Sequence, residues 1–368
     1  MKKFFCVSGA AVLFWLLGGC SFEKTQQVQS VDTAMGTVVQ QSIYTREADS
    51  GAARDILELT KSLEQEMLSR RLDGSQVYAV NAGAGKPEGT EVSEELAQIL
   101  RTCIRIGEDS GGALDITLGP VVQLWDMDAW AAGERTGEFQ PPGEEALTEA
   151  LGLCGRDKMQ LWEDSGESSQ GNGGEAEDHV GASVGGRVIL SAGACLDLGA
   201  VGKGVALDRI LVYLEEHKEI LGAVISLGGS ILTYGEKPEG GGWRVAVMDP
   251  FDTSAYVGIL TLDGGWCVST SGDYQRFVEA EGVRYHHIYD PSSGYPAQSG
   301  VAGVTILSHS GLESDALSTA CFILGVEAGL ELAERYGAEA LFVEKDGRVT
   351  MTAGMEQYWS PVGERIPE

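Results

Sequence analysis

Cationic side chains are scarce in this chain of 368 residues: 26 Lys and Arg stand against 55 Asp and Glu, a formal charge of -29. A field of that sign repels phosphate backbones and anionic membrane surfaces, which excludes nucleic acid as a partner and electrostatic attachment to a bilayer. Any anionic ligand then needs a local cation, either a metal ion or a well-placed lysine. The seven cysteines contain no CxxC pair, which argues against a cysteine-built zinc site. Internal repeats are lacking, and beyond the N-terminus no second apolar run is long enough to span a membrane.

What the chain does have begins at its first residues. Lys2 and Lys3 precede an apolar run from Phe4 to Leu17, too short to cross a bilayer with ease, and Leu17-Gly18-Gly19-Cys20 comes next. The segment resembles a bacterial lipoprotein signal, with residues 1–19 removed and Cys20 lipidated, which implies an anchored protein at the extracytoplasmic face of the cell membrane. An ordinary secretory signal that ends in Cys is the alternative. Residues 20–30, polar and without periodicity, read as a tether. Cys103, Cys154, Cys195, Cys267 and Cys321 are widely spaced and mostly set in apolar runs, which favours free thiols over disulfides.

Residues 31–360 read as one α+β domain. Apolar residues at helical spacing mark Ala52 to Met67 and Glu94 to Ile106, and helices are also expected over Asp315 to Leu324 and Gly325 to Tyr336. Alternation marks strands at Val31 to Tyr44, Gly222 to Leu227, Trp243 to Met248, Gly258 to Leu262 and Val301 to Leu307. A hairpin joins Ala340–Glu344 to Arg348–Thr352 through Asp346-Gly347. Glu163 to Gly186 holds almost no large apolar residue and reads as a disordered insertion in a hairpin loop, with a domain linker as the alternative.

Two segments carry chemistry. Asp315 and Thr319 are four residues apart, so on a helix their oxygens share a face, and hard cations such as Mg²⁺ take oxygen ligands. The glycine-flanked segment that ends in Lys203-Gly204 can bring backbone close to an anion and adds one positive charge. Together they suggest pyrophosphate chemistry. Taken alone, Asp315 reads better as a helix cap and Thr319 as a surface hydroxyl.

The wider set of motifs is Ala34-Met35-Gly36-Thr37, Ser110 to Pro120 with Leu124-Trp125, Asp197 to Gly204, Ser226 to Ser230, Thr270 to Tyr274, His286 to Pro291 with Gly294-Tyr295-Pro296, and Asp315 to Thr319. In this order they resemble the ApbE family, the FAD:protein FMN transferases. The resemblance runs from about Val31 to Thr352 and implies a single T-fold-like domain of mixed sheets and helices. It also implies Mg²⁺-dependent transfer of the FMN half of FAD to a threonine hydroxyl of a target protein, with release of AMP.

Carried over by position, Asp315, Thr319 and the carbonyl of Ala200 would hold Mg²⁺, Lys203 would steady the phosphates or the adenine-side ribose, and Asp197 would accept a hydrogen bond from FAD. His287 rather than His286 would be the general base, because the histidine kept in the family lies three residues before the Asp-Pro pair. Met35, Ala113, Leu114, Asp115, Ile288 and Tyr289 would contact the flavin. Ser69-Arg70-Arg71 departs from the pattern where many relatives carry an aromatic, and Arg71 is expected to stack in its place, beside Ser69. Implied partners are flavin-bearing subunits of membrane redox pumps or extracytoplasmic reductases. A flavin-storing lipoprotein and an FAD pyrophosphatase remain as readings of other kinds.

Overall fold

The structure, a computed structural model that describes residues 25–47, 51–163 and 184–362, is α+β as expected. Its centre is an antiparallel sheet of eight strands. In spatial order these are β1 (Gln26–Ala34), β2 (Thr37–Thr45), β6 (Ile220–Leu227), β7 (Ser230–Gly235), β10 (Cys267–Gly272), β13 (Val301–Ser308), β14 (Glu339–Glu344) and β15 (Val349–Met351). A second sheet runs β3 (Thr90–Ser93), β5 (Val184–Leu190), β4 (Met159–Glu163), and a third runs β16 (Trp359–Pro361), β9 (Tyr256–Leu262), β8 (Trp243–Met248). β11 (Phe277–Ala280) pairs with β12 (Val283–His286) alone. The helices are α1 (Ala52–Leu63), α2 (Gln76–Ala82), α3 (Glu94–Asp109), α4 (Gly119–Trp125), α5 (Met127–Ala131), α6 (Glu144–Leu151), α7 (Gly202–Glu216), α8 (Gly311–Leu324) and α9 (Val326–Arg335).

β13 shows why the sheet is central. All eight of its residues are buried, because α8 covers one face and the third sheet covers the other. α7 lies against α8, and their crossing is set by two glycines. A Cβ on Gly204 would sit 2.0 Å from the Gly311 carbonyl oxygen, and one on Gly311 would sit 2.2 Å from that of Gly204. Any side chain at either position would force the helices apart. α8 starts one turn before Asp315, at Gly311, because Ser310 accepts the Glu313 N–H and Asp208 of α7 accepts the N–H groups of Gly311 and Leu312. The orphan donors of its first turn are thereby satisfied from two sides.

Several boundaries differ from the sequence reading. The stretch from Val31 to Tyr44 is a hairpin, not one strand, since Met35 (φ 51°) and Gly36 (φ 65°) turn the chain between β1 and β2. A methionine at positive φ leaves no compositional trace; here its N–H is held by the Glu64 carboxylate at 3.0 Å. The tether also ends sooner than residue 30. Gln26–Ser30 belong to β1, an edge strand whose main-chain pairing with β2 tolerates the polar side chains that hid it. At the insertion, β4 and β5 do form a hairpin, but Val184–Gly186 are strand rather than loop. Gly185 and Gly186 have the composition of a linker, yet a Cβ on Gly185 would fall 2.0 Å from Glu94 Cα, so the glycine admits the start of α3. Residues 164–183, the body of the insertion, and residues 1–24, with Cys20, lie outside the described residues.

The helix read over Ala52 to Met67 is α1 with a π turn at Glu64–Leu68. Such a turn re-aims the residues after it, here Ser69 and Arg70. All five described cysteines are free thiols, and Cys103, Cys267 and Cys321 are buried.

Candidate active site

The Gly228-Gly229 turn between β6 and β7, the start of α7, the middle of α8 and the segment after β12 enclose a cleft of about 690 Å³. Among the residues expected to act, Arg71, Ala113, Leu114, Asp115, Asp197, Ala200, Lys203, His287, Ile288, Tyr289, Asp315 and Thr319 all line it. Met35 and Ser69 fall outside its lining. The Met35 methyl group points toward Gly202, and Ser69 Oγ accepts the N–H groups of Arg71 and Leu72, which makes it a turn residue.

Asp315 is buried, with one carboxylate oxygen accepting the Ser230 hydroxyl at 2.6 Å and the other the Gly204 N–H at 2.7 Å. The Lys203 ammonium stands 3.6 Å from it. Lys203-Gly204 therefore does approach an anion through backbone, as its glycine suggested, but that anion is Asp315 itself. The helix crossing made possible by Gly204 and Gly311 is what brings N–H and carboxylate together. Thr319, one turn further along α8, has its hydroxyl 3.5 Å from Ser271 Oγ.

The two adjacent histidines have opposite surroundings. His286 is buried; its Nε2 faces the Ala297 carbonyl at 3.1 Å, and its Nδ1 takes the Ile288 N–H. Both ring nitrogens are spent on backbone, and burial lowers its pKa to about 4. His287 faces the cleft with its Nδ1 3.2 Å from the Arg276 carbonyl. A carbonyl only accepts, so Nδ1 carries the hydrogen and Nε2 keeps its lone pair. Burial first, then the Arg276 charge, push this imidazole down to about 3, so it is neutral at physiological pH.

Charged groups brace the rest. Arg70 Nε meets Asp197 at 2.5 Å in a partly buried pair, while Asp197 also accepts the Gly199 N–H at 2.7 Å. Asp128 of α5 lies between Arg71 and Arg276, at 3.0 and 2.9 Å. Burial alone would raise its pKa, but the two guanidiniums outweigh that and hold the carboxyl below the usual range. Asp115 accepts both the N–H and the hydroxyl of Thr117. Tyr289 stacks on Trp125 with ring centroids 5.5 Å apart, in a small aromatic core with Phe139 that backs this wall.

The model of the ApbE family matches residues 35–342. The chain belongs to the ApbE family. A Treponema pallidum protein named FAD:protein FMN transferase is 32% identical to this ApbE chain over 92% of it and 91% of the relative, and a Klebsiella pneumoniae protein of the same name is 30% identical over 89% and 92%. The crystal structure of the ApbE protein from Thermotoga maritima superposes with a TM-score of 0.76 at 29% identity, covering 90% of this chain and 99% of that one. The flavinyl transferase ApbE of Pseudomonas stutzeri, in its apo form, gives 0.70 at 27%, covering 91% and 97%.

Around this ApbE cleft, sequence reasoning passed over Arg276, Asp128 and the glycines Gly228 and Gly229, which line it, and Arg70 and Ser230, which lie outside the lining and hold Asp197 and Asp315. Arg276 had a usable signal. Glu281-Gly282 separates two short strand-like runs, and the hairpin they form sets Phe277 opposite His286, so Arg276 must neighbour His287. Asn81 had a weaker one. Its amide exchanges two hydrogen bonds with the backbone of Leu196 at 2.7 and 3.0 Å and so fixes the residue before Asp197.

Proposed function

We propose that this protein is an FAD:protein FMN transferase that moves the FMN half of FAD to a threonine hydroxyl of an acceptor protein in a Mg²⁺-dependent reaction and releases AMP. One observation carries the reading: in a chain of the ApbE family, a single cleft gathers the Asp315 carboxylate, the Thr319 hydroxyl, Ala200, Lys203 and the neutral His287. The donors suit a hard cation. Among the described residues no group of three or more His, Cys, Asp or Glu is placed to hold a metal ion. A metal here therefore rests on one carboxylate with hydroxyl and carbonyl oxygens, the oxygen-only set that Mg²⁺ takes together with water and phosphate. Asp315 accepts two hydrogen bonds and keeps lone pairs for an ion. Bound there, Mg²⁺ would neutralise charge on the pyrophosphate and orient it.

The chain's own groups supply the rest. Lys203 offers a fixed positive charge beside Asp315. His287 Nε2 takes the proton of the threonine hydroxyl as that oxygen bonds to the FMN-side phosphorus; the bond to the bridging oxygen breaks, and AMP leaves with the electron pair. Two negative charges arriving on the substrate raise the proton affinity of an imidazole that Arg276 and burial hold low in the free protein. Ala113, Leu114, Ile288 and Tyr289 form the apolar wall for the isoalloxazine.

The N-terminal pattern supports a lipid anchor at Cys20, on the extracytoplasmic face of the bacterial cell membrane. The acceptor would be a flavin-bearing subunit of a redox pump or secreted reductase at that surface, where confinement raises the effective concentration of the pair. Incubation with FAD, Mg²⁺ and a threonine-bearing acceptor peptide, with mass measurement of the products, tests the reaction. One FMN on the threonine and one AMP released per event is the expected result; AMP with free FMN and unlabelled peptide would mean hydrolysis instead.

A further inference from the structure

The reaction needs two guests in one cleft, and the second is a protein. A threonine hydroxyl oxygen stands only two bonds from its Cα, so an acceptor that delivers it into the cleft must bring its main chain inside. Each N–H and C=O taken in leaves water and needs a partner.

β8 supplies such partners. Val245, Ala246, Val247 and Met248, four consecutive residues, line the same cleft as His287 and Asp315. β8 also ends its sheet: it pairs with β9, and among the described residues no strand pairs with its other edge. The register shows which groups face outward. Thr261 donates its N–H to the Tyr358 carbonyl, on the β16 side. Alternation therefore turns Leu260 and Leu262 toward β8, where they oppose Val245 and Trp243. Arg244, Ala246 and Met248 are left with N–H and C=O directed away from β9. Their side chains are exposed, while Val245 and Val247 are buried against Val268, Leu307 and Leu341, so the edge is held by core packing. Of the devices that usually blunt an edge, proline is absent from β8 and the single charge, Arg244, lies outside the cleft lining. Phe251 and Tyr256 extend an exposed apolar border beside Met248.

We propose that the acceptor enters as an extended segment that adds to β8 as a further strand, hydrogen-bonded to Ala246 and Met248, and so brings its threonine along the cleft wall toward His287. This rests on the transferase reading and adds how the partner is held. Main-chain pairing supplies affinity, and sequence preference falls on alternate side chains, which would let one enzyme serve acceptors of differing sequence.

The probe is a pool of synthetic peptides of about ten residues, the upper length of an ordinary strand, each with one central threonine. The best substrate is remade with a backbone N-methyl group at one position at a time, and transfer is read by mass. Strand addition requires a period of two: methylation at residues facing β8 raises KM roughly ten-fold, while the intervening positions stay within about two-fold. On the enzyme, Ala246→Pro removes one outward N–H at an edge where proline is tolerated, and is expected to raise the peptide KM roughly ten-fold with unchanged FAD affinity. The peptide scan decides the matter if that variant does not fold. Losses that ignore the period, or fall only on side chains, overturn the proposal. AMP and free FMN without transfer to any peptide in the pool overturn the transferase reading beneath it.

Discussion

Asp315→Asn separates the chemical role of Asp315 from its structural one. The carboxylate is buried and takes two donors, Gly204 N–H and Ser230 Oγ–H, at 2.7 and 2.6 Å. Replacement by alanine would orphan both, and the Gly204 N–H lies in the α7–α8 crossing where water has no room, at a cost of about 1–3 kcal/mol for each group. Asparagine avoids most of this. Its amide oxygen accepts from Gly204, and its NH₂ donates to Ser230, whose hydroxyl turns to accept. What is lost is the charge on two charge-assisted hydrogen bonds and the pairing with Lys203, together about 1–2 kcal/mol, which lowers Tm by a few degrees in a domain of this size.

Catalysis should suffer far more. An ion that neutralises a pyrophosphate contributes several kcal/mol to the transition state, so transfer should fall by about 10³-fold or more, and added Mg²⁺ should not restore it. Ser230→Ala is the companion. It removes one orienting bond but keeps the carboxylate, so it should raise the Mg²⁺ concentration needed for half-maximal rate by roughly ten-fold while leaving the maximal rate within reach. The assays are thermal unfolding of each variant and single-turnover transfer across a Mg²⁺ titration. Asp315→Asn acting at the wild-type rate and the wild-type Mg²⁺ concentration would remove the ion from Asp315 and refute the reasoning.

His287→Ala should slow transfer on the order of 10²- to 10⁴-fold yet leave FAD titration nearly unchanged, since in the proposed role it would touch only the incoming hydroxyl; an equal loss in binding would assign it to the substrate instead. With its pKa held down to about 3, His287 stays unprotonated in the free enzyme, so kcat/KM should show no acid limb between about pH 7.5 and 5.5, and a limb near pH 6.5 would contradict the depressed value. His286 acts on stability. Its folded pKa of about 4 lies below the unfolded value near 6.5, so the unfolded chain binds the proton first; its contribution of about 3 kcal/mol is complete above pH 6.5 and is lost as pH falls toward 4, a dependence that thermal melts should show and that a neutral replacement, His286→Gln, should flatten. Replacing residues 164–183 by a Gly-Asn turn between β4 and β5 should leave Tm and FAD affinity nearly unchanged, because each doubling of loop length costs only about 0.6 kcal/mol; a collapse of either would mean that the segment packs on the domain. Cys20→Ala should move the protein from the membrane to the soluble fraction with transferase activity retained, and its persistence in the membrane would end the lipoprotein reading.

Asp315 and Thr319 could be paired from the sequence because a spacing of four sets them on one helix face, and both line the cleft; His287 lines it too, but it was singled out over His286 by the family resemblance and not by any spacing within one element. Groups that act across elements left no such mark. Arg70 and Arg71 are neighbours of identical type, yet after the π turn at Glu64–Leu68 and the Ser69 turn the first reaches Asp197 while the second pairs with Asp128, a split that composition does not show. Composition also misleads on glycine. Gly185 and Gly204 suggest flexibility and anion approach, whereas both serve close contact, one with the start of α3 and one with α8. The second case matters for the chemistry, because the N–H that a phosphate could have used is already committed to the carboxylate that would hold the ion. Anion affinity at this helix start therefore passes through Lys203 and an ion held at Asp315 rather than through the Gly204 N–H. That is why, in a chain this acidic, substrate charge and metal should depend on each other, with FAD binding tightly only when Mg²⁺ is present.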